Sequence, residues 1–123
     1  MKITKIDIIT RPSKLEELKD ALNAIGVLGM TVSQVYGCGL QRGHKEVFRG
    51  KEYEVNLVPK IKLETVVCEV PVEKVLEVAQ KVLRTGKFGD GKIFVYELCD
   101  TVRIRTGQRG AEAIMDIPGE KIF

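Results

Sequence analysis

The sequence predicts an α+β fold in which two β-α-β units share one antiparallel sheet and place both helices on one face. Three observations predict it. Four segments are rich in branched apolar residues or alternate apolar with polar ones. Two other segments, one in each half, carry apolar residues at helical spacing. A glycine-rich stretch poor in apolar residues separates the halves. The resulting order, βαββαβ, is that of the ferredoxin-like fold. One sheet face is then left without helices, which makes it a candidate for oligomerisation.

Each element has its own grounds. Ile3 to Ile9 mixes apolar and polar positions and ends in two isoleucines, so it reads as a strand with one buried face. Arg11-Pro12 ends it. Ser13 and Glu16 have capping-box spacing, and Leu15, Leu18, Ala21, Leu22 and Ile25 make one helical stripe that Gly26 stops. Met30 to Tyr36 reads as the second strand. From Gly37 to Asn56 the pattern breaks: four glycines, four basic residues, three acidic residues and His44 predict a long exposed loop with weak hairpin character. Pro59 is expected to close it. Ile61, Leu63, Thr65 and Val67 alternate with charged positions as the third strand. Pro71 opens the second helix, with Val75, Leu76, Ala79, Val82 and Leu83 inward and Gly86 as its stop. Ile93 to Leu98 is the fourth strand, and a mixed tail follows from about residue 99 to 123.

A chain of 123 residues, 44% hydrophobic and 30% charged, fits one globular domain spanning 1–123. A net charge of +3 is small for a dedicated nucleic-acid binder, and no nucleic acid is expected. No apolar run reaches the roughly 18 residues of a membrane span. Three separated cysteines give neither a disulfide framework nor a C-x-x-C pair. Together these suggest a reducing, cytoplasmic setting. Cys68 and Cys99 read as small core residues, and Cys38 as an exposed thiol.

No catalytic constellation is visible. His44 is the sole histidine and stands in the loop, where a solvated side chain is the usual state. Anion binding has better support. Thr85-Gly86-Lys87-Phe88-Gly89-Asp90-Gly91-Lys92 joins the second helix to the fourth strand with three glycines in six positions, so backbone N–H groups can turn toward a phosphate. Lys87 and Lys92 add charge. In an extended segment Arg103 and Arg105 would point the same way and clamp a polyphosphate. From Arg84 to Arg109 six basic residues stand against three acidic ones, equal to the whole net charge. The plain alternative is a glycine turn with solvated charges, and the spacing is not that of a P-loop.

These residues resemble the PII family of nitrogen-regulatory signal-transduction proteins. Thr85 to Leu98 matches the pattern T-x-x-x-G-D-G-K-I-F-V-x-x-L, and Arg103-Ile104-Arg105-Thr106-Gly107 matches R-I-R-T-G. Gly29 to Val32, Gln41-Arg42-Gly43-His44 and Leu57 to Glu64 resemble segments in and around the family's long T-loop, here about 38–56. The resemblance covers essentially the whole chain. It implies a homotrimer that binds ATP or ADP between subunits, with Mg2+ and 2-oxoglutarate beside the nucleotide. By resemblance Met30, Thr31, Gly37, Gly39, Glu64, Gly89, Asp90, Gly91, Lys92, Arg103 and Arg105 line the nucleotide site. Gln41 would hold Mg2+. Gln41, Lys60, the Gly89 backbone and Arg11 would receive 2-oxoglutarate.

The resemblance implies a switch rather than an enzyme. Its output is the shape of the T-loop, with Arg49 at the tip for insertion into an ammonium transporter and Tyr53 as a uridylyltransferase acceptor. Glutamine synthetase or its modifying enzymes are further implied partners, and a membrane is reached only through a partner. Three positions depart from the family pattern: Leu40 for a phosphate-reaching arginine, Phe48 for the first loop tyrosine, and Lys51 for a small residue. They leave open an alternative, a PII-like regulator of nitrogenase or carbon metabolism with altered effector preference.

Overall fold

The computed structural model describes residues 2–38 and 57–115, together with the backbone of 45–48 and 51–54. β1 (Thr4–Thr10) leads through a 3-10 turn at Pro12–Lys14 into α1 (Leu15–Ala24). β2 (Thr31–Cys38), β3 (Lys45–Phe48), β4 (Lys51–Glu54) and β5 (Leu57–Val67) follow, then α2 (Val72–Leu83) and β6 (Lys92–Glu97). The main sheet has the order β2-β5-β1-β6, and every pair is antiparallel. The ferredoxin-like expectation holds.

The core lies between the sheet and the helices. Ile6, Ile8, Ile61 and Leu63 meet Leu18 and Leu22 of α1 and Val75, Ala79 and Leu83 of α2. The spacing of those helix residues is the stripe read from the sequence. Burial of each of the Ile, Leu and Val side chains among them stabilises the fold by about 1.5–3 kcal/mol. α1 ends in a Schellman arrangement: Val27 N–H donates to Leu22 O at 3.0 Å and Gly26 N–H to Asn23 O at 3.0 Å. Gly26 has φ +95°, which an L residue adopts only with strain.

Several local expectations are corrected. Ser13 and Glu16 form no capping box; Ser13 sits within the 3-10 turn, and the residue preceding α1 is Lys14. α2 stops at Leu83, before Gly86, because Arg84 is already extended. β5 begins at Leu57 and runs straight through Pro59. Proline fits there because β1 ends opposite Ile61, so Pro59 pairs only with Tyr36 of β2 and has no strand on its other side. Within the predicted loop the expected hairpin character is present, as β3 and β4 pair antiparallel. Cys99 is exposed rather than in the core, and Cys68 is half-buried. None of the described helices is long and apolar enough to cross a membrane.

Candidate functional site

The site forms where β1 ends and the 85–91 turn crosses it. The Thr10 hydroxyl donates to the Asp90 carbonyl at 2.8 Å. Arg11 donates through Nη2 to the Phe88 carbonyl at 2.8 Å, and through Nη1 it pairs with the Asp90 carboxylate. From β5, Lys60 Nζ donates to the Gly89 carbonyl at 2.6 Å. Three turn carbonyls are thereby drawn toward β1 and β5.

Asp90 closes the turn from inside. One carboxylate oxygen accepts from the Thr85 and Gly86 amides at 2.9 and 3.0 Å. The other accepts from the Thr85 hydroxyl and from Arg11. The Thr85 hydroxyl, then Arg11, hold this carboxyl far below the ordinary aspartate range. Gly91 has φ +104°, and a Cβ there would stand 1.8 Å from the Ile9 carbonyl, so no other residue fits. Burial, then the nearby Arg11 charge, lower the affinity of Lys60 for its proton. Arg11 and Lys60 meet at this corner, Lys92 follows the turn as the first residue of β6, and Phe88 stands fully exposed at the turn's tip. Behind it lies a cavity of about 470 Å³ between α2 and β6, lined by Leu76, Leu83, Gly91, Ile93 and Val95 among others.

The structure brings some expected residues together and separates others. Gly37 lies against Lys60, 3.3 Å from its side chain to a Cβ built at the glycine, so Gly37, Lys60, Gly89, Asp90 and Arg11 form one group. Thr31 and Glu64 pair opposite each other further along the same ladder. Met30 is half-buried against the core, and the Thr65 hydroxyl fixes the chain beside it by donating to Gly29 O at 2.7 Å. Glu64 is engaged by Lys5 at 3.0 Å and Lys62 at 3.7 Å. These lysines also flank Asp7, which is 1% exposed at the centre of the helix-free sheet face. Sequence reading missed Asp7, although one charge inside Ile6-Asp7-Ile8 was a visible signal.

Arg103 and Arg105 occupy a different place. The segment from Ile104 to Thr106 is a turn, not a strand, so the two guanidiniums do not share a strand face. Arg103 donates to the carbonyls of Ala113 at 3.2 Å, Glu112 at 3.4 Å and Met115 at 2.5 Å. Asp100 fastens the other side by accepting from Arg109 and from Gly110 N–H. This knot follows the end of β6 that pairs with Thr4, whereas the glycine turn precedes the end that pairs with Ile9. Gly39, Gln41 and Arg49 lie outside the described residues. Tyr53 lies in β4, described by its backbone alone. Among the described residues, no three His, Cys, Asp or Glu side chains come together as a metal cluster.

A ferredoxin-like sheet whose β1 end meets a hydrogen-bonded, cation-flanked glycine turn is the architecture of this chain. The sequence profile of the family described as "Nitrogen regulatory protein P-II" matches residues 3–108. The chain belongs to this family; it is a regulatory signal transducer and not an enzyme. It is 52% identical over 110 residues to the nitrogen regulatory PII-like protein of Bacillus subtilis, covering 89% of this chain and 95% of that one. The B. subtilis GlnK–ATP complex superposes with a TM-score of 0.78 at 48% identity, covering 92% of this chain and 96% of that one. Arabidopsis thaliana PII bound to citrate gives a TM-score of 0.72 at 39% identity, covering 91% and 92%.

Proposed function

We propose that this chain is a homotrimeric sensor of ATP or ADP and of 2-oxoglutarate, which regulates nitrogen-metabolism proteins through the loop between β2 and β5. The observation that carries the reading is the corner where Lys60 and Arg11 meet the turn at Gly89, just before Gly91 and Lys92. Its cations suit a polyphosphate and a dicarboxylate side by side. ATP in the B. subtilis GlnK complex is a polyphosphate, and citrate on the Arabidopsis PII is a tricarboxylate that shares carboxylate chemistry with 2-oxoglutarate. Arg103 and Arg105 follow one end of β6 and the turn precedes the other, which favours a phosphate site completed by a neighbouring copy.

In this reading Lys92, Arg103 and Arg105 neutralise phosphates, Thr31 and Glu64 face the adenine and ribose side, and Met30, Gly37 and Gly39 complete the lining of the nucleotide site. Gln41 and phosphate oxygens hold Mg2+, which needs few protein ligands. Lys60 and Arg11, with Gln41 and the Gly89 backbone, receive 2-oxoglutarate. Lys60 is also the last residue of β5 before Ile61, where pairing with β1 begins, so its ligand acts at the root of the loop. The loop, with Arg49 and Tyr53, then meets its partner, an ammonium transporter first. The setting is cytoplasmic.

Calorimetry with Mg-ATP, with and without 2-oxoglutarate, tests the proposal. The expected result is binding of each ligand, with 2-oxoglutarate tightened by Mg-ATP. Absence of nucleotide binding, or no synergy between the two, would overturn it.

A further inference from the structure

Asp90 is the acidic residue of the glycine turn, and its hydrogen bonds assign it a role different from that of a ligand. Its carboxylate accepts from four donors: the Thr85 and Gly86 amides, the Thr85 hydroxyl and Arg11. A carboxylate offers about four lone-pair sites, so this one is saturated from within the chain. Its carbonyl is also taken, by the Thr10 hydroxyl. The donors come from the exit of α2 and from the end of β1, which are remote in sequence. We infer that Asp90 is a positioning residue that pre-sets the 85–91 turn for an anion by tying α2 to β1, and that its carboxylate touches no ligand itself.

The physical consequence concerns the amides. A glycine-rich turn free to reorient loses backbone entropy of roughly 1–2 kcal/mol per residue when a ligand orders it. Here the turn is tied by hydrogen bonds within the chain, without a ligand. Arg11 on Phe88 O and Lys60 on Gly89 O hold two carbonyls back toward β1 and β5. Gly91 packs against Ile9 so closely that the turn cannot slide past the strand.

The inference rests on the proposed anion site, and two measurements separate the two. The first is amide hydrogen exchange of residues 85–91 in the ligand-free chain, with β1 and β5 amides as the internal reference. Asp90→Asn is expected to speed exchange in the turn about tenfold or more, and Thr85→Val by less, with the reference unchanged. The second is calorimetry with ATP. Asp90→Asn is expected to weaken binding by about ten- to a hundredfold, by the same factor with or without Mg2+ and for 2′-deoxy-ATP. Unchanged exchange in the turn of both variants overturns the inference. So does a loss confined to Mg2+-bound nucleotide or to the ribose hydroxyl, which would make Asp90 a ligand. If the unaltered chain binds no ATP, the proposed function falls and exchange alone decides the role of Asp90. If Asp90→Asn disturbs the reference amides too, Thr85→Val decides.

Discussion

Gly91 has no room for a side chain, and the rest of the turn depends on that. A methyl group would overlap the Ile9 carbonyl, and φ +104° is itself unfavourable for alanine. Gly91→Ala is expected to cost about 1–3 kcal/mol or more in thermal unfolding and to abolish nucleotide binding. Asp90 gives a pH dependence with a definite sign. Its folded pKa is depressed, through Thr85 first and Arg11 second. The stabilisation is therefore fully present above the unfolded value of about 3.9 and is lost as pH falls through the lower folded value. The Tm difference between the unaltered chain and Asp90→Asn should stay flat from about pH 8 to 5 and shrink below about pH 4. The glycines and Lys92 were legible in the sequence because spacing alone marks a glycine turn. The inward role of Asp90 was not. Its arginine partner is 79 positions away, a contact that exists only once β1 and the turn have met.

Among the elements, the helices and strands were the readable part. Leu18 and Leu22, Val75 and Ala79 face inward as their spacing required. Leu22→Ala should cost about 2–5 kcal/mol by chemical denaturation, since its side chain is fully buried. Gly26→Ala should cost about 1 kcal/mol, from the left-handed backbone rather than from contact, because Val70 stands at an ordinary 3.6 Å. What failed at this scale were boundaries set by punctuation. Pro59 looked like a stop, yet it lies inside β5, because a proline is harmless where no strand takes its missing N–H. Arg103 and Arg105 looked like one strand face, but their segment turns, and Arg103 grips backbone carbonyls of residues 112–115. Nothing in the spacing of two arginines distinguishes a strand from a tight turn.

At the scale of the molecule, the fold class and family were legible and the assembly remains the proposal. Light scattering on a sizing column should give three times the 13.7 kDa chain mass. The helix-free sheet face should form part of the contact. There Lys5 and Asp7 along β1, and Lys62 and Glu64 along β5, alternate in sign beside the exposed rings of Phe94 and Tyr96, which suits a contact that is part polar and part apolar. High salt should then weaken assembly, because part of its attraction is coulombic. The overhang of β2 and β5 has a mechanical meaning as well. The pairs from Val35 with Lys60 to Cys38 with Leu57 extend past the end of β1. Four such pairs project roughly 14 Å. In the proposed reading the loop is thus carried on a two-stranded cantilever whose root is Lys60. A small tilt at that root would sweep the far end through a larger arc, so a ligand at the corner would have leverage over a partner it never touches.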